Sequence, residues 1–248
     1  MISRREILRA SLAAAATAFI AACKGKTRIA TPISPTPTTG APTSTNTAIP
    51  SCVVKPQVTE GPYFVDERLN RSDIRTDPSD GSTKDGVPVR LVFNVSRLDG
   101  TACAPLQGAQ IDVWHCDAAG LYSDQAANNT VGKKFLRGYQ VTDANGVAQF
   151  LTIFPGWYQG RTIHIHFKIR LISGSKATYE FTSQLFFDDA TTAGILAQPP
   201  YNLRGAPDTP NSGDGIYRGG NAGAQLTLPL AREGSGYTGT FDIGLQMS

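Results

Sequence analysis

The residues best suited to chemistry are His164 and His166, two of only three histidines in the chain, with Ile165 between them. In an extended strand, side chains two apart point to the same side, so one metal ion could take both imidazoles. Taken alone, such a pair divides evenly between metal ligands and a solvated or structural pair. No carboxylate stands near enough in sequence to complete a two-histidine, one-carboxylate ferrous site. Just upstream, Ile153-Phe154-Pro155-Gly156-Trp157-Tyr158-Gln159-Gly160-Arg161-Thr162 reads as a strand exit that presents Tyr158 and Arg161 beside the pair. Further upstream, Asp112 to Tyr122 ends a strand in a loop that carries a second tyrosine. Each tyrosine by itself reads first as a half-buried packing residue.

The elements that must position these residues are strands. Val89 to Val95 is apolar at every second position, and Ala109 to His115 alternates in the same way. Val147 to Ile153 follows an Asp143-Ala144-Asn145-Gly146 turn. In Ile163 to Leu171 the odd positions are Ile, Ile, Phe, Ile and Leu, while His164, His166, Lys168 and Arg170 share the other face. Tyr179 to Phe187, Gln225 to Leu230 and Tyr237 to Leu245 are further strand-like runs, and a short helix is expected near Thr191 to Ala197. Short strands with Gly, Pro and Asn at the turns predict an all-β protein, an antiparallel β-sandwich. Asp143 and the Asp188-Asp189 pair read as solvated turn residues rather than acid-base groups.

The chain opens Ser3-Arg4-Arg5-Glu6-Ile7-Leu8 and runs through an Ala-rich apolar stretch to Ile20-Ala21-Ala22-Cys23. That stretch is short of the roughly 18 apolar residues a spanning helix needs, and it has the flanks of an export signal. It resembles a twin-arginine signal ending in a lipobox, which makes residues 1–22 a signal peptide and Cys23 a lipid anchor. The Pro- and Thr-rich segment 23–51 reads as a tether, with a catalytic or binding domain in 52–248. The expectation is an exported, envelope- or membrane-anchored bacterial lipoprotein. The formal charge is +3, and loss of the signal's charges leaves about +1, so a nucleic-acid surface is not expected. Cys52, Cys103 and Cys116 remain beyond the anchor, and the default is one disulfide and one free thiol, with the pair left open.

Taken together and in order, D-V-W-H-C-D-A-x-G-x-Y, F-L-R-G-Y-Q-V-T-D-A-N-G, T-I-F-P-G-W-Y and R-T-I-H-I-H-F resemble the intradiol ring-cleavage dioxygenases, the family of catechol and protocatechuate dioxygenases. The match runs from about Thr59 to Phe187, and Thr59-Glu60-Gly61-Pro62-Tyr63 resembles the family's entry motif. The resemblance implies an intradiol-type sandwich holding a non-haem iron(III) ion through Tyr122, Tyr158, His164 and His166. It implies Arg161 beside the metal, stabilising charge on the substrate, and Gln184 supporting the arginine. Hard ferric iron suits phenolate oxygen, and two phenolates with one hydroxide balance its charge. The implied partners are a catechol-type substrate and O2, and the implied product is a muconate-type diacid, with Tyr158 the ligand that substrate displaces. His115 recurs in the motif without being a ligand and reads as a packing and hydrogen-bonding residue.

The chain departs from well-known soluble members in having neither a helical dimerisation region nor a long insertion before the histidines: only Gln159 to Ile163 separate Tyr158 from His164. Substrate-contacting loops and oligomeric state therefore do not transfer, and a homo-oligomer stays open. Two rival readings are a lipid-anchored sandwich that binds carbohydrate or protein without catalysis, and a copper or zinc enzyme built on the H-x-H pair.

Overall fold

The computed structural model describes residues 52–100 and 102–247; the signal, Cys23 and the tether lie outside them. The described residues form two sheets and a few short helices. One sheet contains β1 (Pro88–Asp99), β2 (Ala102–Pro105), β5 (Val147–Ile153), β8 (Ala231–Glu233) and β9 (Gly236–Gln246), with β1 central between β9 on one edge and β2 and β5 on the other. The other has the order β4 (Arg137–Val141), β3 (Gln110–Trp114), β6 (His164–Ser173), β7 (Lys176–Phe186).

Alternation predicts the buried face well. Val89, Leu91, Phe93 and Val95 of β1 and Ile165, Phe167 and Ile169 of β6 are all buried. The sheets meet through them, with ring centroids 5.3 Å apart for Phe93–Phe167 and 5.4 Å for Phe167–Phe241. Burial of such side chains contributes about 1.5–3 kcal/mol each, which makes this aromatic layer the main force holding the sheets face to face.

Two expectations need correction. The sandwich is not purely antiparallel, because β1 and β9 pair in parallel over ten residue pairs, from Val89↔Tyr237 to Leu98↔Gln246. Alternation reports which face is buried and is blind to strand direction. Gln225 to Leu230 is not a strand either. A helix covers Ala222–Leu226, and only a single bridge joins Thr227 to Phe186. Pro229 has no N–H to extend a ladder. The helix expected near Thr191 is α1 (Asp189–Leu196), capped by the Asp188 carboxylate on the Thr191 N–H at 2.7 Å. The disulfide joins Cys52 to Cys103, and Cys116 is a buried free thiol.

The outer face of β6 is polar in sequence yet buried, with His164, His166, Lys168 and Arg170 all 9% exposed or less. A strap formed by residues 59–70 covers it. Lys168 pairs with Glu60, Arg170 pairs with Asp66 at 3.0 Å, and Lys168 Nζ lies 4.2 Å from the centroid of the Phe64 ring. The strap is ordered by charge pairing and a cation–π contact rather than by a ladder.

Candidate functional site

The two histidines open β6, where backbone pairing fixes them: His166 lies opposite Trp114 of β3 and Gln184 of β7, and His164 opposite Phe186 of β7 alone. Their Nε2 atoms are 3.0 Å apart. His164 Nδ1 donates to the Thr162 carbonyl at 2.7 Å, which leaves the Nε2 of the neutral ring as a bare lone pair. Burial, and then the neighbouring Arg161 charge, push the His164 pKa down to about 3. Burial, followed by the other imidazole, holds His166 well below its ordinary value. The His166 ring stacks on Trp114 at 5.0 Å and 8°, and its Nδ1 is buried without a partner.

The phenols arrive on two loops. Asp117 builds the first: its Oδ1 accepts from the N–H groups of Ala119 and Leu121 at 2.9 and 3.0 Å. Asn128 Oδ1 then takes the Tyr122 N–H at 2.9 Å. The second loop leaves β5 and docks on the first. Gly156 N donates to the Asp117 carbonyl at 3.0 Å, and any Cβ at Gly156 would overlap the Ala118 carbonyl. Gly120 has φ +77°, and a Cβ there would overlap the Trp157 carbonyl. This close fit brings the Tyr122 and Tyr158 rings to 5.7 Å centroid to centroid, nearly perpendicular. Tyr158 Oη lies 3.1 Å from His164 Nε2. Tyr122 is 1% exposed, and its Oη has no hydrogen-bond partner. Burial pushes the Tyr158 pKa up to about 12 and the Tyr122 pKa well above its ordinary value.

Arg161 stands at the edge of this cluster. Its Nη2 donates to Gln184 Oε1 at 2.7 Å, its Nε donates to Asp214 Oδ2 at 2.7 Å, and Nη1 lies 3.5 Å from His164 Nε2. Gln184, fully buried, is held in turn by donating its amide N–H to the Thr59 carbonyl at 2.8 Å. All six residues singled out in the sequence, Tyr122, Tyr158, Arg161, His164, His166 and Gln184, thus come together at one end of the four-stranded sheet. His115 does not join them. Its ring nitrogens lie 2.8 Å from the Cys116 carbonyl and 2.6 Å from Thr152 Oγ1, so it ties the end of β3 to β5. Cys116 is also buried nearby, and burial raises its thiol pKa.

These residues fit a metal ion. Two imidazole Nε2 atoms 3.0 Å apart, the Tyr158 oxygen 3.1 Å from one of them and the orphaned Tyr122 phenol converge in dry surroundings, a set of donor atoms that a cation would satisfy together. Metal–nitrogen bonds of about 2.1 Å put adjacent ligand atoms roughly 3 Å apart. Among the described residues no third His, Cys, Asp or Glu joins the pair, so the phenols are the donors at hand to complete the set.

The chain is similar to known proteins over the stretch that carries these residues. A family model described as Dioxygenase matches residues 59–199, more than half of the chain. An intradiol ring-cleavage dioxygenase from Tetranychus urticae is 30% identical over 79% of this chain and 94% of its own, with TM-score 0.64. The chain belongs to the intradiol ring-cleavage dioxygenases. Within that family it is also similar to the dioxygenase domain of a dioxygenase carbohydrate-binding protein fusion from Streptomyces sp. SirexAA-E, 29% identical over 79% of this chain and all of that one, TM-score 0.56. Catechol 1,2-dioxygenase 1 of Acinetobacter lwoffii is 26% identical over 160 residues, which span 54% of this chain and 49% of the relative, about half its length. Sequence reasoning assigned no role to two residues that touch this cluster. Tyr63 stacks on Tyr122 at 4.4 Å, and its only signal was its place in the entry motif. Asp214, which lies beyond the matched residues, had none.

Proposed function

We propose that this chain is a non-haem iron(III) enzyme that uses O2 to open a catechol-type ring between its two hydroxyl-bearing carbons, giving a muconate-type diacid. The observation that carries this reading is the convergence of two imidazole Nε2 atoms, one buried and one half-buried phenol, and a guanidinium, in a chain of the intradiol family. Tyr122, Tyr158, His164 and His166 would hold the ion. When bound, ferric iron supplies Lewis acidity that draws electron density from a chelated catechol and makes the ring reactive toward O2.

The chain's own residues supply the rest. His164 is neutral at any physiological pH, so its Nε2 keeps a lone pair, and the Thr162 carbonyl sets its tautomer and angle. Tyr158 is half-buried where Tyr122 is fully enclosed, so Tyr158 is the phenol with room to turn away when substrate arrives. Free of a cation, its oxygen has a pKa pushed up to about 12, so it takes a substrate proton and keeps it. Arg161 Nη1, the one arm not committed to Gln184 or Asp214, faces the site and would stabilise negative charge on the bound substrate. Tyr63, stacked on Tyr122, and Trp114, stacked on His166, wall the donors from water.

The test is optical and then chemical. Iron-loaded protein should absorb visible light through phenolate-to-iron charge transfer, anaerobic catechol should shift that band, and air should then convert a catechol to a ring-opened diacid with uptake of one O2. Colourless protein that binds zinc or copper in preference, or coloured protein inert toward a panel of catechols, would overturn the reading. The proposal includes attachment to a membrane through Cys23, supported by the Ile20-Ala21-Ala22-Cys23 sequence. Cys23→Ala should move the enzyme to the soluble fraction with unchanged specific activity, and continued sedimentation with membranes would refute the anchor.

A further inference from the structure

We infer that Asp214 is a positioning residue for the ring-opening site, acting through Arg161. This rests on the reading of Arg161 given above and goes beyond it, because Asp214 lies past the residues that the family model matches. The carboxylate is 1% exposed and fully used. Oδ2 accepts from Arg161 Nε at 2.7 Å and from the Thr162 N–H at 3.0 Å, while Oδ1 accepts from the N–H groups of Ile216 and Tyr217 at 2.7 and 3.0 Å. Burial alone would raise its pKa, but the Tyr217 N–H, the Arg161 side chain and the Thr162 N–H outweigh it and hold the acid below its ordinary value. One buried anion therefore grips the arginine and the backbone two residues before His164, from a separate segment of chain.

The geometry decides what that grip does. A guanidinium is a planar fork, so fixing Nε with one acceptor and Nη2 with another leaves no freedom for Nη1. Asp214 holds Nε and Gln184 holds Nη2, and the remaining arm points at the histidine pair. Neighbours of Asp214 reinforce the grip: Asn211 Oδ1 accepts from Thr162 Oγ1 at 2.7 Å, and the Asp208 carboxylate receives the Gly160 N–H at 3.2 Å. Without Asp214, Arg161 would keep its charge but pivot about Gln184. Misplacing a charge-stabilising group by about 1 Å can cost as much as 100-fold in rate.

The test is a double-mutant cycle of Asp214→Asn and Arg161→Gln in the iron-loaded full chain, followed by kcat, KM and the anaerobic dissociation constant for 4-nitrocatechol. Asparagine still caps the following helix but turns a donor toward Nε, and Asp214→Ser, a cap too short to reach the arginine, stands in if the first variant melts early. Expected are unchanged iron content and an unchanged band without substrate, a loss in kcat/KM of about tenfold or more for either single change, and a double variant no worse than Arg161→Gln alone. Additive losses, wild-type kinetics in both Asp214 variants, or loss of iron would each overturn the inference. If wild-type enzyme opens no catechol, the ring-cleavage reading fails, and the cycle is then read in the 4-nitrocatechol constants alone. Additivity there, or no binding by wild type, sinks the Asp214 inference too.

Discussion

The imidazoles and the phenols of the candidate centre are held in different ways. His164 and His166 sit on β6, an interior strand whose backbone is bonded to β3 and β7, so their positions follow from sheet register. Tyr122 and Tyr158 sit on loops that leave β3 and β5 and are fixed by one aspartate turn, one asparagine and two glycines. A ladder position moves only if the sheet does, whereas a loop position can be tuned or released locally. In the proposed iron site the imidazole side retains the ion and the phenol side exchanges ligands.

The comparison breaks first on iron retention. His164→Ala or His166→Ala should cut affinity for iron by more than the roughly 10–100-fold typical of losing an outer-shell partner, as measured by metal content after dialysis against a chelator. Full occupancy in either variant would end the ligand assignment. The phenols should differ from the histidines and from each other. Tyr158→Phe should keep iron and part of the visible band but turn over about 100-fold more slowly, since a displaceable base is gone. Tyr122→Phe should weaken both the band and the catechol complex. Identical behaviour of the two would mean that burial does not distinguish their roles.

Smaller effects sharpen the contrast. Gly120→Ala places a methyl group against the Trp157 carbonyl at a positive φ, which should lower stability by about 1–3 kcal/mol and disturb the phenol band while iron stays bound. Loss of iron with an unaltered band would reverse the assignment of sides. His115, which ties the roots of both loops together, has its pKa lowered to about 4 by burial. The unfolded chain takes up this proton at a higher pH than the folded one, so the stabilisation is complete above about pH 6.5 and is lost as pH falls toward 4. Between pH 7 and 5.5 the loss should be about 1 kcal/mol, read as the difference between wild type and His115→Asn in the slope of unfolding free energy, taken from urea melts, against pH. That difference separates His115 from His164 and His166, whose shifts have the same sign. Equal slopes would show that His115 does not titrate on unfolding.

The same contrast explains what could be read in advance. The period of two in β6 placed both imidazoles on one face from sequence alone, and it placed Ile165, Phe167 and Ile169 in the core. Loops have no period, so Tyr122 and Tyr158 read by themselves as packing residues, and only a family resemblance made them ligands. The parallel direction of β9 was invisible because alternation is the same in either direction. Asp214 was invisible for a different reason: it meets Arg161 across 53 residues of sequence, and nothing local to it announces the contact.

The disulfide has a mechanical consequence. Cys52 is bonded to Cys103 in β2, and Val54 bridges to Gly244 in β9, both ahead of the strap that covers the histidines. Tension applied to the chain from its N-terminal side therefore enters the five-stranded sheet at two points before it can reach residues 59–64. The bond acts as strain relief, much as a clamp on a cable protects the connector. With Cys52 and Cys103 reduced, the single Val54 bridge would be the first point to resist, and a pull from that side would start to peel the strap off His166.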